Sequence, residues 1–303
     1  MKNTIPLLCL LIVFSGCLQE EAAERVNLGE RVQVTAPIHE AEYIKIGVSA
    51  IISPEESLIY YEDLFNYISK NLGKPVRLIQ RKSYQEMNEL VKKGHVDVAF
   101  ICSLAYVEGR EQFGMELLVV PVVNGKTVYY SYTIVPADSN VTEFRQLRDK
   151  RFAFSDPLSN SGYLVPTYML VKMGENPDTF FNYFIFTYSH DRSIKAVADK
   201  LVDGANVDSL IWDYLNATNP QLTARTKIIK RSPPYGIPPV VVPRDLDPAL
   251  KEELRSIFLR MHEDEEGRKV LEKIMIDRFV MGKDRDYDSI REIRSLVKEK
   301  YEK

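Results

Sequence analysis

Cysteine is scarce in this chain. Of three in 303 residues, Cys9 and Cys17 lie near the N-terminus and only Cys102 stands in the body. A single thiol there excludes an intrachain disulfide framework. Histidine is equally thin, with four residues scattered at positions 39, 95, 190 and 262, which excludes a local metal-ligand cluster. Neither sign of charge dominates: 40 Lys plus Arg stand against 43 Asp plus Glu, a net charge of -3. With no basic run and no basic patch interleaved with aromatics, nothing points to nucleic acid as a partner. The most apolar run, Ile5 to Phe14, is too short to span a bilayer.

That run has another use. Met1-Lys2-Asn3 places a positive charge before it, and Ser15-Gly16-Cys17 places small residues after it, the layout of a secretory signal. The small residues before Cys17 resemble a bacterial-type lipobox, which implies lipidation of Cys17 as the new N-terminus; simple cleavage near Gly16 is the alternative. Residues 18–41 are rich in Glu and Gln without a sustained period, and read as a solvated tether between anchor and globule.

The remainder is long enough for two core-forming units. Tyr43 to Val48 begins a strand, and Ser53-Pro54-Glu55-Glu56 reads as a capping box opening a helix that carries Tyr61, Leu64, Phe65, Ile68 and Leu72 and closes at Gly73. A strand at Val76–Ile79, a helix from Glu86 to Lys93 stopped by Gly94, and a strand from Val96 to Ile101 follow. A second copy runs from the strand at Arg151–Phe154 through a helix over Gly162–Met173, a strand at Phe184–Thr187, a helix over Ser193–Leu201 and a strand at Asn206–Ile211. In this alignment Tyr84, Gly94 and Val96-Asp97 correspond to His190, Gly204 and Val207-Asp208. Alternating strands and helices predict parallel sheets covered on both faces. Val128–Val135 and Pro239–Pro243 are β-prone runs that fit two crossovers, which puts residues 42–130 and 240–303 in a discontinuous first lobe and 131–239 in a second. The C-terminal helices, capped at Asp247 and Asp288, are expected to pack back on the first lobe. A ligand of such a fold belongs in the cleft between the lobes.

Ser155-Asp156-Pro157-Leu158-Ser159-Asn160-Ser161-Gly162-Tyr163-Leu164-Val165-Pro166 stands between the first strand and first helix of the second lobe. A turn of hydroxyl and amide residues leading into a helix leaves backbone N–H groups aimed outward, which is an anion seat; plain N-capping is the other reading. Pro166 lacks an N–H, so either the helix starts near Leu164 or its first turn is irregular.

This stretch resembles the phosphate-facing signature of the phosphonate/phosphite-type solute-binding proteins of ABC transporters. Arg81-Lys82-Ser83-Tyr84, Gly94 to Ser103 with Tyr106, Ser189-His190-Asp191 and Ser232-Pro233-Pro234 are similar to further blocks of that family, in its order. The resemblance runs from about Tyr43 to Phe279. It implies an α/β, two-lobed periplasmic-binding-protein fold of type II whose lobes, joined by two crossover strands, close on a phosphorus oxyanion. It further implies phosphoryl contacts at Ser159, Asn160, Ser161 and, across the cleft, Tyr84. A crossover tyrosine also meets the ligand in relatives. Tyr129 and Tyr130 compete for that place on opposite faces of the strand, and Tyr130 is the favoured candidate. His190 and Asp208 match positions that meet the organic part or the amine of a phosphonate. Each has a structural alternative, as a helix-start residue and a solvated strand-end carboxylate. Ser103 and Tyr106 follow the Cys102 strand and are candidates to line the cleft, and Cys102 itself reads as an inert buried thiol.

The expected protein is therefore an extracytoplasmic, lipid-anchored monomer that hands a small phosphorus oxyanion to ABC permease subunits, with no cofactor, no metal and no catalysis. A tethered sensory module on the same fold is the alternative. A hydrolase built on Ser161, His190 and Asp208 lacks the glycine two residues before the serine that a nucleophile elbow needs.

Overall fold

In the computed structural model, which describes residues 43–301, the chain alternates strand and helix as far as its first crossover: β1 (Ile44–Val48), α1 (Pro54–Leu72), β2 (Val76–Gln80), α2 (Tyr84–Lys92), β3 (Val98–Phe100), α3 (Ser103–Phe113) and β4 (Glu116–Val122). Strand β5 (Val128–Tyr129) leads out of this lobe. The second lobe holds β6 (Ser131–Pro136), β7 (Arg151–Phe154), α4 (Val165–Lys172), α5 (Pro177–Phe180), β8 (Tyr183–Phe186), α6 (His190–Ala198), β9 (Gly204–Asp208), α7 (Ser209–Thr218), α8 (Pro220–Thr223) and β10 (Thr226–Arg231). Strand β11 (Tyr235–Gly236) returns, and β12 (Val240–Val242), α9 (Pro248–Arg260), α10 (Glu265–Lys273), β13 (Arg278–Val280) and α11 (Asp288–Tyr301) complete the fold. The signal, Cys17 and the tether lie outside the described residues. Among the described residues no helix is long and apolar enough to cross a membrane.

Two sheets form, ordered β13-β4-β12-β3-β1-β2 and β10-β6-β9-β7-β8. Each has the expected parallel centre, β3-β1-β2 and β9-β7-β8, but reversed strands, β12 and β13 in the first and β6 in the second, make every remaining pairing antiparallel. The reason is topological: a strand that leaves for the other lobe, or returns from it, enters the sheet without a βαβ turn and so need not be parallel. The Pro239–Pro243 run is accordingly no crossover. Its strand β12 pairs antiparallel with β3 and β4 inside the first sheet, and the crossover pair is the short β5–β11 ladder, Tyr235 opposite Tyr129.

The internal repeat is real but its register differs from expectation. In the first lobe Lys45 donates its N–H to Asp97 Oδ2 at 2.7 Å, and the Asp97 N–H returns to the Lys45 carbonyl at 2.8 Å. In the second, Arg151 does the same with Asp203, at 2.8 and 2.9 Å. Asp97 therefore corresponds to Asp203, not Asp208. Asp208 N-caps α7 as Cys102 precedes α3, while Tyr84 and His190 both open their helices.

Apolar packing explains the lobes. Ile46, Leu64, Ile68, Phe258 and Phe279 fill the first. The second is strongly aromatic, with Phe144, Phe152, Phe154, Phe180 and Phe181 in mutual ring contact. The lobes are also closed on one another: Tyr84, Cys102 and Ala105 of the first share a buried cluster with Tyr132, Ile194 and Val207 of the second. Helix α9, capped at Asp247, covers the first lobe, as expected, and α10 lies there with it. Helix α11 does not belong to it alone: its apolar side, Ile290, Ile293 and Val297, shares a cluster with Leu104 of α3 and Val165 of α4, so it lies across both lobes.

Candidate anion-binding site

The turn after β7 takes its shape from Pro166. Having no N–H, this residue leaves upstream carbonyls that a regular first turn would use, and the chain makes a wide turn instead: Leu164 N–H bonds the Ser159 carbonyl at 2.9 Å, and Val165 N–H bonds that of Asn160. Of the two alternatives that Pro166 leaves, the irregular first turn is what forms, and α4 proper starts at Val165. The freed carbonyls find other donors: Ser131 Oγ reaches the Ser161 carbonyl at 2.6 Å, and Ser155 N–H reaches that of Gly162 at 3.3 Å. Asn206 Nδ2 in turn donates to Ser131 Oγ at 2.8 Å, so the turn rests on the second sheet.

Gly162 is required by space. A Cβ there would lie 2.0 Å from Ser155 Oγ and 3.0 Å from His190 Cε1. Its N–H caps onto Ser159 Oγ at 3.0 Å.

Ser159, Asn160, Ser161, Tyr84 and His190 are all buried. The first lobe meets the turn through Cys102, whose Sγ accepts the Asn160 N–H at 3.4 Å, a weak acceptor for that donor. Burial pushes this thiol up to about 11, in keeping with an inert group. Asn160 Nδ2 donates to the Tyr129 hydroxyl at 3.0 Å. Of the two crossover tyrosines it is thus Tyr129, fully buried, that reaches the turn. Tyr130 points to the other side of the crossover, its ring 3.5 Å from the Arg231 guanidinium. The favoured assignment of Tyr130 does not match this placement: alternation separates the pair as expected, but the side facing the seat is fixed by the β5–β11 ladder, which the sequence does not display. Ser103 stands one layer back, its Oγ donating to the Gly236 carbonyl at 2.7 Å. Tyr106 is turned away, its hydroxyl bonded to Asp284 at 2.7 Å.

His190 is held as a neutral donor. The Asp208 N–H points at its Nδ1 at 3.1 Å, which leaves the proton on Nε2, facing Ser159 Oγ at 3.5 Å. Burial lowers the imidazole from 6.5 to about 3, so it carries no charge near neutrality. Asp208 is pushed the other way, from 3.8 to about 7, chiefly by burial; its Oδ1 accepts the Leu210 N–H at 2.8 Å.

Several hydroxyl groups here have no hydrogen-bond partner in the protein. Tyr84 Oη, Ser161 Oγ, Ser155 Oγ and Ser189 Oγ are buried and unpaired, as is Asn160 Oδ1. Buried donors without partners are costly, roughly 1–3 kcal/mol each. Grouped around the Ser155–Ser161 turn from both lobes, they leave several donors free for a guest's acceptor oxygens.

Two carboxylates that the sequence did not single out for the site tie the lobes. Asp156 Oδ2 accepts the Tyr84 N–H at 3.1 Å while its Oδ1 accepts the Leu158 N–H at 2.8 Å. Asp191 Oδ1 accepts the Ser53 N–H at 2.9 Å. This contact stands where a capping box was expected, and Ser53 makes no side-chain cap. An acidic residue next to each site residue was the available signal, but its partner lies in the other lobe. Among the described residues no group of His, Cys, Asp and Glu is placed to hold a metal ion.

Two sheets of mixed direction, linked by paired crossovers and closed over a turn of unpaired uncharged donors, define a two-lobed binding protein for a small anion. Comparison with known proteins gives the family. Residues 46–287 match the model described as "ABC transporter, phosphonate, periplasmic substrate-binding protein", and the chain belongs to that family. It is 25% identical over 272 residues to the phosphonates-binding periplasmic protein of Escherichia coli (strain K12), covering 87% of this chain and 80% of that one. Among solved structures, a binding protein component of an ABC phosphonate transporter from Pseudomonas aeruginosa superposes with a TM-score of 0.80 at 25% identity, covering 85% of this chain and 87% of that one. PhnD1 from Prochlorococcus marinus (MIT 9301), solved with methylphosphonate, shares the fold with a TM-score of 0.76 at 22% identity, covering 84% and 98%.

Proposed function

We propose that this protein captures a phosphorus oxyanion (phosphonate, phosphite or phosphate) outside the cytoplasm and presents it, lobes closed, to the permease subunits of an ABC importer. It acts as a monomer, held to the membrane by a lipid on Cys17, and performs no chemistry on its ligand. The observation that carries this reading is the set of buried, unpaired hydroxyl groups of Tyr84 and Ser161 around the Ser159–Ser161 turn, with neutral His190 Nε2–H beside it. Uncharged donors in a water-excluded cleft replace the hydration shell of a phosphoryl group without a buried counter-charge. Ser159, Asn160 and Ser161 hold the oxygens from the second lobe, Tyr84 from the first, and Tyr129 orients Asn160. A ligand that bridges the lobes stabilises the closed form by its differential affinity.

Isothermal titration of the purified full-length protein against phosphate, phosphite, methylphosphonate and 2-aminoethylphosphonate tests this. Binding of at least one is expected; silence towards all four, with protein shown to be ligand-free, would sink it.

A further inference from the structure

Asn160 stands in the middle of the seat with every group but one engaged. Its N–H points at Cys102 Sγ, its carbonyl accepts the Val165 N–H, and its Nδ2 donates to the Tyr129 hydroxyl at 3.0 Å. Which way an amide faces is decided by the donors and acceptors around it. Here the deciding chain runs along the crossover. The Gly236 carbonyl can only accept, so Ser103 Oγ donates to it at 2.7 Å. Ser103 is also a hydrogen-bonding neighbour of the Tyr129 hydroxyl, and with its own proton committed it accepts the one on Tyr129. The Tyr129 oxygen is then left to accept, and Asn160 must show it the NH2 end.

Asn160 Oδ1 is therefore the end of the amide that the crossover does not hold. It is buried and has no partner. It differs in kind from the other unpaired groups of the seat. The hydroxyls of Tyr84, Ser155, Ser161 and Ser189 each carry a proton to donate, whereas a carboxamide oxygen can only accept. The carboxylates beside the seat are already engaged: Asp156 accepts the Tyr84 and Leu158 N–H groups, and Asp208 those of Leu210 and Ile211. A fully ionised guest brings acceptors only, and would set one of them against Oδ1. A guest with one protonated oxygen satisfies both kinds of group at once.

We infer that the seat selects a phosphorus oxyanion that keeps one proton, its P–OH donating to Asn160 Oδ1 while its other oxygens accept from the hydroxyls, and that it refuses sulfate and sulfonates, which have no proton to donate. The inference rests on the proposed capture of a phosphorus oxyanion. It makes Asn160 a specificity residue whose side chain accepts from the guest, and Tyr129 and Ser103 the positioning residues that hold the amide in that sense.

Titration calorimetry of the full-length protein with two matched pairs tests it. Methylphosphonate and methanesulfonate at about pH 5 each carry one negative charge, phosphate and sulfate at about pH 8 each carry two, and in each pair only the phosphorus compound has an O–H. Because a pair is compared at one pH, Asp156, Asp208, His190, Cys102, Tyr84 and Tyr129 are in the same state for both members. The phosphorus member should bind at least tenfold more tightly, since a site that pairs a ligand hydroxyl rejects the analogue lacking it. Asn160→Thr, whose hydroxyl donates as well as accepts, and Tyr129→Phe, which frees the amide to turn, should each narrow that ratio at least threefold. A substitution that merely disturbs the turn weakens both members alike. A ratio under tenfold, or one that either substitution leaves in place, overturns the inference and leaves the anion seat standing. If neither methylphosphonate nor phosphate binds, the inference falls, and titrations with phosphite and 2-aminoethylphosphonate decide whether the reading of the seat falls with it.

Discussion

Asp156, in the second lobe, accepts the backbone N–H of Tyr84, the first residue of a helix in the other lobe, at 3.1 Å. The bond exists only when the lobes are together, and it sets a negative group at a helix N-terminus, where it is favoured. Asp156→Ala should therefore weaken phosphoryl binding about tenfold, the order expected for one charge-assisted hydrogen bond of ~1.5 kcal/mol, although it removes a negative charge from an anion site. Calorimetry decides. A gain in affinity would mean that repulsion of the ligand outweighs the tie.

Ser161 Oγ is buried and unpaired. Ser161→Ala should cost roughly 1–3 kcal/mol of binding free energy, because a charged ligand oxygen then lacks a donor, while the free protein is no less stable in urea. Unchanged affinity would make Ser161 a cap only.

The two crossover tyrosines should separate cleanly. Tyr129→Phe removes the partner of Asn160 Nδ2 and should weaken phosphate or methylphosphonate binding by about 1 kcal/mol. Tyr130→Phe should leave the affinity for these small ligands alone, since Tyr130 faces Arg231. The reverse pattern in a pair of titrations would return the role to Tyr130.

At Gly162 the constraint is a methyl group's worth of room. Gly162→Ala presses a Cβ into Ser155 Oγ and the His190 ring, and should lower stability by about 1–3 kcal/mol in denaturant unfolding. Since both neighbours border the seat, ligand affinity should fall with it; a fully stable, tightly binding variant would show that the turn has slack.

Asp208 and His190 are shifted in opposite directions, to about 7 and about 3. Between about pH 4 and 6.5 the unfolded chain holds a proton on His190 and none on Asp208, while the folded chain holds the reverse, so their contributions to the pH slope cancel there. Above pH 7 Asp208 is ionised and its burial penalty is complete. Asp208→Asn keeps a capping side chain and lifts that penalty. Relative to wild type it should therefore gain more stability at pH 8 than at pH 5, by roughly 3 kcal/mol for about two pH units. Thermal or urea unfolding at the two pH values measures the gain, and a difference independent of pH would show that the carboxyl is not raised.

Local chemistry made the alternating centre of each lobe readable. Apolar spacing over Tyr61–Leu72, the glycine stop at Gly73 and the proline inside Val165–Lys172 each act within a few residues, and the elements form where they fall. What escaped depends on partners far along the chain. Val240–Val242 has the composition of any buried strand, and only pairing with β3 and β4 makes it part of the first sheet. The two halves were aligned on the wrong aspartate because Val96-Asp97 and Val207-Asp208 look alike as dipeptides; the bond from Arg151 to Asp203 identifies the true equivalent. Asp156 and Asp191 were visible as residues of the signature blocks, but a carboxylate that serves a helix in the other lobe has no local mark.

The last helix, α11, touches α3 on one side of the cleft and α4 on the other. Domains that swing about two linking strands are usually pictured as a clamshell with an unrestrained outer edge. Here the polypeptide runs on past its hinge and lays a strut over the seam, so opening has to peel or slide Ile293 and Val297 against Val165 and its neighbours. The rest position of the jaws is then set in part by a greased contact behind the Asn160–Leu164 turn, which α11 also touches, and substitutions at Ile293 or Val297 retune affinity without altering a single binding side chain.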